Sequence, residues 1–423
     1  MEYQEMNQQS CAKNDAFHKI LKCCCAEYDF WRTVLIAFAI GVICHFSAYT
    51  NIYLGHDASS FWNYNSNWDI VTGRYVGTLV KELHGSLQAP WMIGMISNLL
   101  LALGVGMMVR ILSLKKMLTS CMVAAVVMTW PTITSSHGYL YMLSQFSMAM
   151  LLSIAAVYTV DRNRYGWVLS ILFLVMSLAC YQAYIGLTAG LMLLRILREC
   201  EEAKRCDQEI IRIGIKYLAI LGISLVIYYS IWKCLMEAYD LNATNYKNMD
   251  QLGLEYILNL LLQLDMVYNY VFRYFFQPDW PSYIPSILKI LMMSSFLVFS
   301  IRLFYRIIKK RKAMIESIAS VGIAAIVYLL FPLAMNAGQF LSGSQSYAAM
   351  EMAFSLPILF VLQQVDDVID YGNIKESGGG EKSKKEPVDY FGIVFGCGEC
   401  IQWILRCKCK LFEIAVQLYT SYE

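Results

Sequence analysis

Residues 167–197 read WVLSILFLVMSLACYQAYIGLTAGLMLLRIL, and the way in which this run is divided decides the fold of the chain. Roughly 30 apolar residues would make a helix of about 45 Å, too long for one upright crossing of a hydrocarbon layer about 30 Å thick. If the run were one helix, the following loop with Arg198, Lys204 and Arg212 would lie outside, against the positive-inside bias. We therefore predict two short half-spans that turn near Tyr181-Gln182.

Composition places the whole chain among membrane proteins. Of its 423 residues, 58% are hydrophobic and only 16% are charged, whereas soluble proteins have about one half and about one quarter. The net charge of +2 gives no indication of nucleic-acid binding. We predict an all-α, polytopic integral membrane protein with about ten transmembrane helices. The other predicted spans are Trp31–Tyr49, Trp91–Leu112, Met117–Trp130, Leu140–Val160, Tyr217–Met236, Tyr283–Phe304, Ile315–Leu333 and Tyr347–Leu362.

Charged residues beside the apolar runs predict the topology. Lys115-Lys116, Asp161–Arg164 and Arg302–Lys312 are inside signals, and an even number of spans then leaves both termini in the cytoplasm. The predicted regions are a cytoplasmic leader (1–30), a transmembrane domain (31–365) with outer loops 50–90 and 237–283, a flexible cytoplasmic linker (366–390), and an amphipathic, Cys-rich cytoplasmic tail (391–423).

Most of the fourteen cysteines fall in segments predicted to be cytoplasmic. A reducing compartment argues against disulfides there. The spacing of Cys397, Cys400, Cys407 and Cys409 leaves a zinc site open, although the second pair is spaced unlike the usual one. The sequence has no Gly-rich phosphate loop and no Rossmann fingerprint, which argues against a soluble nucleotide-sugar enzyme.

Both long outer loops contain helical stripes. From Gln251 to Phe276, apolar residues such as Val271 and Phe275 fall on one side at about 100° per residue, and polar residues such as Asn269 and Arg273 fall on the other. The first loop has a weaker stripe, made of Trp68, Val71, Tyr75, Leu79 and Leu83. We predict interfacial helices on the outer face.

The polar, aromatic segment Asn51–His84 is where we expect the chemistry. Asp57 follows the outer end of the first span, where a carboxylate can act as a general base while a lipid-linked group approaches from the bilayer. The alternative is a solvated loop acid. Arg74 has the planar guanidinium suited to a phosphate, with a lipid headgroup anchor as the alternative, and Arg273 carries the same two interpretations.

Three further polar residues lie near the predicted outer ends of spans. Glu351 is a functional candidate because an acid at membrane depth is costly, and its alternative role is to pair with a neighbour such as Ser346. His45 and His137 are interpreted as satisfied polar residues rather than metal ligands, since no metal-binding motif surrounds them.

Several of these pieces together resemble the bacterial polytopic glucosyltransferases of the GtrII type. They are Cys180-Tyr181-Gln182-Ala183-Tyr184-Ile185-Gly186, the first outer loop with Asp57 and Trp68 followed by Gly73-Arg74-Tyr75, and the turn at Pro131. The resemblance covers residues 30–365. It implies a GT-C-like fold and transfer of a sugar, expected to be glucose, from a polyprenyl-phosphate carrier to a cell-surface glycan such as an O-antigen. The reaction would take place on the outer face of a bacterial inner or plasma membrane.

The resemblance also implies roles for residues. Asp57 becomes the catalytic carboxylate of the first outer loop, and Arg74, with Arg273 as a second contact, becomes the binding group for the donor phosphate. Family members often carry two adjacent acids, whereas this chain has His56 beside Asp57, which leaves a divalent cation open. The candidate substrate-binding residues are His56, Trp62, Trp68, Asp69, Tyr181, Gln182 and Glu351. The expected partners are a carrier-charging enzyme and a flippase.

The alternative function is a transporter or flippase for a lipid-linked sugar. Glu351 and the break within residues 167–197 favour it, because transporters carry polar groups and interrupted helices at membrane depth. The sequence shows no clear internal repeat, and its charged residues concentrate in the outer loops. These two observations favour an enzyme.

Overall fold

The computed structural model of the protein describes residues 28–51, 66–84, 89–244, 260–277, 283–310, 314–343 and 346–377. Helices dominate this part of the chain, and no strand occurs in it. The helices are α1 (Tyr28–Thr50), α2 (Ser66–Val71), α3 (Gly77–Lys81), α4 (Pro90–Ile111), α5 (Met117–Thr129), α6 (Pro131–Ser136), α7 (Leu140–Thr159), α8 (Gly166–Cys180), α9 (Ile185–Glu202), α10 (Asp207–Ala238), α11 (Leu264–Phe276), α12 (Ser286–Lys310), α13 (Met314–Met335), α14 (Ala337–Ser342) and α15 (Leu356–Ser377). Short 3-10 turns lie at Glu82–His84, Gln182–Tyr184, Leu260–Gln263, Ala348–Met350 and Met352–Ser355.

Within the described ranges, seven helical segments are long and apolar enough to cross a membrane. They are Tyr28–Thr50, Pro90–Ile111, Leu140–Thr159, Asp207–Ala238, Ser286–Lys310, Ile318–Met335 and Met352–Asp370. This confirms the predicted all-α, polytopic membrane fold. Helices α5 and α8 are apolar but shorter, and α9 carries several charged residues. Because these three do not qualify by length and composition, the count of ten spans stays a prediction.

The run that opens the analysis is broken where the sequence predicts a turn. Helix α8 ends at Cys180, Tyr181 is extended with φ −161° and ψ 114°, and α9 starts at Ile185. The chain then returns, because Arg195 of α9 forms an ion pair of 3.0 Å with Asp161, which lies just before α8. The beginning of α8 and the end of α9 therefore lie at the same end of the bundle, which confirms the predicted hairpin.

The two ends of the helix bundle differ in character. At one end, called the basic end, Arg198 and Arg306 both bind the Asp367 carboxylate of α15. The opposite end, called the loop end, carries α2, α3, the Gln182–Tyr184 turn, α11 and α14. Helix α7 joins the two ends: Gln145 near its start donates to the carbonyl of Cys180 at 2.9 Å, and its last residues precede Asp161.

A close approach holds the Gln182–Tyr184 turn in place. A Cβ atom at Gly186 would lie 2.7 Å from the backbone carbonyl oxygen of Ala334, near the end of α13. Only glycine allows this distance without a backbone shift. Helix α14, which follows α13, packs on the turn itself. The glycine of the Tyr-Gln-Ala-Tyr-Ile-Gly motif therefore brings α9 and α13 together at the loop end.

The last helix caps another helix from outside. The Asp366 carboxylate accepts hydrogen bonds from the backbone N–H groups of Lys115 and Lys116 at 2.8 and 2.9 Å, and from the Thr119 hydroxyl. These donors lie at the N-terminus of α5, where backbone N–H groups lack partners within their own helix and the helix dipole favours a negative charge. Asp366 is buried, so α15 holds the start of α5 at the basic end.

The first outer loop reverses the usual arrangement of polar and apolar residues. Gly73, with φ 74°, separates α2 from α3. The stripe residues Trp68, Leu79 and Leu83 are exposed, Leu79 to 69%, whereas Asp69 is buried. An exposed apolar side in a membrane protein fits contact with lipid. Three of the five stripe residues thus lie on the surface of the protein, and Asp69 and Arg74 are buried.

Helix α11 shows the two faces that the sequence predicts for its part of the second outer loop. Val271 and Phe275 are buried, and Asn269 and Arg273 are exposed. The earlier part of the predicted helix, from residue 251 to 259, lies outside the described residues. Toward the C-terminus, α15 continues to Ser377, beyond the end of the last predicted span, and the Cys-rich tail lies outside the described residues.

We predict that Asp366→Ala lowers the free energy of unfolding by about 2 kcal/mol, because two backbone N–H groups and the buried Thr119 hydroxyl lose their acceptor. The thermal midpoint of the protein purified in detergent measures this loss. Asp370→Ala is the matched control, since Asp370 lies one turn further along α15 and pairs with Lys115 and Lys116 at the surface, where an ion pair contributes little. Equal shifts in the two variants would contradict the capping role of Asp366.

Candidate active site

The turn between α2 and α3 directs an arginine into the protein. Gly73 adopts the left-handed conformation that favours glycine, and the N–H of Arg74 donates to the carbonyl of Asp69 at 2.6 Å. Arg74 is only 8% exposed, and its guanidinium carbon lies 5.1 Å from the centre of the Tyr181 ring. A guanidinium over an aromatic face is stabilised by the ring quadrupole. Arg74 is therefore fixed against the turn that follows α8.

Three side chains from other helices hold the backbone of this loop. Gln182 Nε2 donates to the carbonyl of Thr72 and to the Tyr228 hydroxyl, both at 2.8 Å. The Tyr228 hydroxyl donates to the carbonyl of Gly73 at 3.1 Å. Trp232 Nε1 donates to the carbonyl of Ile70 at 2.8 Å. Since three successive parts of the loop are bonded in this way, α10 and the Gln182–Tyr184 turn determine where Arg74 lies.

A buried ion pair lies beside Arg74. The Lys81 ammonium is 3.3 Å from Asp69 Oδ2, and both side chains are largely buried. Burial lowers the pKa of Lys81 to about 8, although the neighbouring Asp69 carboxylate acts in the opposite direction, and the charge of Arg74 also lowers it. The loop end thus holds two cationic side chains within one short segment, an arrangement suited to an anionic group.

The structure brings some of the predicted site residues together. Asp69, Arg74, Tyr181 and Gln182 lie in this one cluster, although 107 or more residues of sequence separate the second pair from Arg74. Trp68 lies on α2 with an exposed ring. His56, Asp57 and Trp62 lie outside the described residues, so their roles remain predictions.

Two other predicted residues lie elsewhere at the loop end. Arg273 is on the exposed face of α11. Glu351 is 2% exposed, and one of its carboxylate oxygens accepts a hydrogen bond from the Tyr270 hydroxyl. Its partner is therefore Tyr270 rather than the Ser346 hydroxyl, which donates to Asn336 Oδ1 at 2.9 Å.

The two histidines interpreted as satisfied polar residues both have backbone contacts. His45 Nε2 is 2.9 Å from the carbonyl oxygen of Met128, and His137 Nδ1 is 2.7 Å from that of Ile133. Their rings stack with centroids 3.9 Å apart. Among the described residues, no three His, Cys, Asp or Glu side chains are grouped so that they could hold a metal ion. Since Asp57 and His56 are not described, a divalent cation there stays open.

The sequence analysis did not identify Tyr228 and Trp232 as site residues. The spacing of the buried residues in α10 could have identified these two, because most of the surface of this helix is exposed. Its buried residues recur every three or four positions, and Ser224, Tyr228, Trp232 and Met236 form one stripe. Aromatic residues with polar edges on the buried stripe of a spanning helix need hydrogen-bond acceptors, and the nearby loop carbonyls supply them.

A family model described as "Glucosyl transferase GtrII" matches residues 46–362, which include both predicted outer loops and the whole cluster around Arg74. No curated protein and no solved structure matches the chain.

We predict that Tyr228→Phe loosens the loop around Arg74, because it removes the donor to Gly73 and the acceptor for Gln182. Amide hydrogen exchange in peptides from residues 66–84 should become roughly tenfold faster, as expected for the loss of one or two hydrogen bonds. Tyr239→Phe, at the exposed end of the same helix, is the control and should leave this exchange unchanged. Unchanged exchange in both variants would show that Tyr228 does not hold the loop.

Proposed function

The chain belongs to the GtrII glucosyl transferase family, and from this membership we propose that it moves glucose from a polyprenyl-phosphate carrier to a cell-surface glycan. Family membership makes the protein a glucosyltransferase, and its long apolar helices make it a membrane protein. The observation that carries the finer proposal is the buried guanidinium of Arg74, fixed over Tyr181 at the loop end.

Arg74 is suited to the phosphate of a lipid carrier. A planar guanidinium binds phosphate oxygens through two parallel hydrogen bonds, and a position set by surrounding hydrogen bonds loses little freedom when the phosphate binds. Lys81 lies beside it, paired with Asp69. The exposed apolar residues of α2 and α3, such as Trp68 and Leu79, lie on the same loop and offer a surface to the polyprenyl chain. We propose Arg273, exposed on α11, as a second phosphate contact.

Asp57 is the proposed general base. Two observations support its placement: α1 ends at Thr50, with His45 stacked on His137 near the loop end, and α2 begins at Ser66 in the Arg74 loop. The segment that contains Asp57 therefore leaves from and returns to the end of the bundle that holds Arg74.

The proposed reaction is one displacement at the anomeric carbon of glucose. An acceptor hydroxyl oxygen forms the new bond to that carbon, and Asp57 takes the hydroxyl proton. The bond between the anomeric carbon and the phosphate oxygen breaks, and the electron pair leaves with the polyprenyl phosphate. Arg74 stabilises the charge that develops on this leaving group. No nucleotide is needed, because a lipid phosphate is a competent leaving group.

The contacts of Tyr181 and Gln182 favour a supporting role for both. The Tyr181 ring carries the Arg74 guanidinium, and the Gln182 side-chain amide donates to Thr72 and Tyr228. We therefore propose that these two residues position Arg74. The remaining candidates for sugar contacts are His56, Trp62, Trp68, Asp69 and Glu351.

The proposed orientation places the basic end in the cytoplasm and the loop end outside the cell. Lys115, Lys116, Arg198 and Arg306 concentrate at the basic end, and such residues favour the cytoplasmic side of a bacterial inner or plasma membrane. Both termini would then be cytoplasmic. Donor lipid would be charged and moved to the outer leaflet by a separate enzyme and a flippase.

The test of this function is transfer of radiolabelled glucose from polyprenyl-phosphate-glucose to a cell-surface glycan fraction, in membranes that contain the protein. We expect Asp57→Asn to reduce transfer by roughly 100-fold or more, as for the loss of a general base. Arg74→Lys should reduce it by roughly tenfold or more, since an ammonium cannot bind the phosphate bidentately.

Matched controls exist for both variants. Asp240→Asn makes the same change at a surface residue with φ 49°, a conformation that asparagine tolerates, and Arg162→Lys alters an arginine 4.6 Å from the Tyr158 ring at the basic end. Both should keep wild-type transfer. Wild-type rates for Asp57→Asn would remove Asp57 from the mechanism. Transfer by none of the folded proteins would favour another sugar or the transporter.

The orientation has a separate test by cysteine labelling. In a variant with Cys206 as its only cysteine, a membrane-impermeant maleimide should react in inverted vesicles and not in intact cells, because Cys206 is exposed beside α10 at the basic end. A variant with Asn242→Cys as its only cysteine, at the other end of α10, should react in intact cells. The opposite pattern would reverse the proposed orientation.

A further inference from the structure

Two buried polar atoms close to each other lack hydrogen-bond partners. Glu351 Oε2 and the Tyr274 hydroxyl have none among the described residues, although Glu351 is 2% exposed and Tyr274 is fully buried. A buried polar group without a partner costs free energy, and more so when it carries a charge. Such groups are rare in proteins, and each one calls for an explanation.

Tyr270 and Tyr274 lie on the same side of α11, and Glu351 faces that side. Tyr270 and Tyr274 are one helical turn apart, and the Tyr270 hydroxyl donates to the other carboxylate oxygen of Glu351. Burial, with added effects of the nearby Glu351 and Tyr270, holds the pKa of the Tyr274 phenol well above its usual value. Tyr274 is therefore a neutral phenol beside the Glu351 carboxyl group.

Glu351 is held firmly from both ends. Tyr270 binds its carboxylate, and Trp130 Nε1 donates to its backbone carbonyl at 3.1 Å. The rings of Tyr274 and Phe354 are 4.3 Å apart and form an apolar wall beside it. The Tyr270 hydroxyl also lies 3.2 Å from the backbone carbonyl oxygen of Ser346. A carboxylate with aromatic neighbours is a combination that suits a sugar, because apolar ring faces pack on the sugar and the acid binds its hydroxyls.

This group of residues is connected to the site around Arg74 through the Gln182–Tyr184 turn and α14. Tyr181, under the Arg74 guanidinium, has its ring 5.9 Å from the ring of Tyr184. The turn that contains Tyr184 packs on α14, and α14 in turn packs on α11. Both groups of residues therefore lie at the loop end, with the Gln182–Tyr184 turn and α14 between them.

We infer that Glu351 and Tyr274 bind one hydroxyl group of the transferred glucose, with the carboxylate as acceptor and the phenol as donor. A hydroxyl group can satisfy both residues, because it donates one hydrogen bond to the carboxylate and accepts another from the phenol. The depth of the two residues favours a single sugar of the donor over a polymeric acceptor. The inference rests on the proposed function and adds to it a residue pair that selects the sugar.

The test uses four polyprenyl-phosphate donors, in each of which the glucose lacks one hydroxyl group. With wild-type protein, one of these donors should lose roughly 10- to 100-fold in kcat/KM relative to glucose, the range expected for a hydrogen bond to a charged group. In Tyr274→Phe and in Glu351→Gln, unmodified glucose should become the poorer substrate, and the penalty for that same deoxy donor should shrink to about threefold or less.

A partly buried phenol on α13 provides the control. Tyr328 donates to the Ser300 hydroxyl at 2.8 Å, and Tyr328→Phe removes the same atom as Tyr274→Phe. It should keep the full penalty for the deoxy donor. Thermal midpoints in detergent identify any variant that fails to fold, and Tyr274→Phe keeps the Tyr270–Glu351 contact, so it tests the inference if Glu351→Gln does not fold.

The outcomes separate the inference from the function on which it rests. If wild-type protein transfers glucose but discriminates against none of the deoxy donors, a buried water completes the pair and the inference is overturned. A penalty that persists unchanged in Tyr274→Phe and Glu351→Gln also overturns it, because another residue then binds the hydroxyl. If the wild-type protein transfers no glucose from the unmodified donor, the proposed function itself fails, and the inference fails with it.

Discussion

Buried backbone carbonyl groups outside regular helices need hydrogen-bond donors, and this requirement shapes the loop end of the protein. In a membrane such carbonyls cannot turn to lipid, so neighbouring side chains must reach them. Gln182 and Tyr228 supply donors to the Thr72–Gly73 turn, and Trp130 supplies one to Glu351. Tyr228 lies on a helix long enough to span a membrane, Gln182 lies between α8 and α9, and Trp130 lies between α5 and α6. The irregular backbone that carries Arg74 and Glu351 is therefore as well positioned as the helices themselves.

At the basic end, charged side chains supply the partners that polar groups need. Asp366 satisfies the first N–H groups of α5, and Asp367 binds Arg198 and Arg306. Helix α15 thus binds the start of α5 and residues of α9 and α12 at the basic end. Its own first residues follow Glu351 at the loop end. The family match ends at residue 362, so Asp366 and Asp367 lie beyond the matched region.

Charge and periodicity predicted much of this arrangement. The positive-inside bias predicted the hairpin at Tyr181, and the spacing of apolar residues predicted the two faces of α11. Periodicity also predicted the stripe on the first loop, but the structure turns that stripe outward and buries Asp69. A stripe has the same spacing whether it faces the protein or the lipid, which is why the direction could not be read from it. The Arg74 contact with Tyr181 was not predicted, since it joins segments that are far apart in the chain.

The sequence by itself determined that the chain is helical and crosses a membrane, because length and hydrophobicity are local properties of each run and set the free energy of its transfer into lipid. It also determined which residue types are available for chemistry at the outer loops. Only the tertiary structure decided which of them meet. The pairing of Glu351 with Tyr270 and of Gln182 with Tyr228 depends on how helices distant in sequence pack, and packing is settled by the shapes and hydrogen bonds of whole helix surfaces together. No local pattern in the chain contains that information.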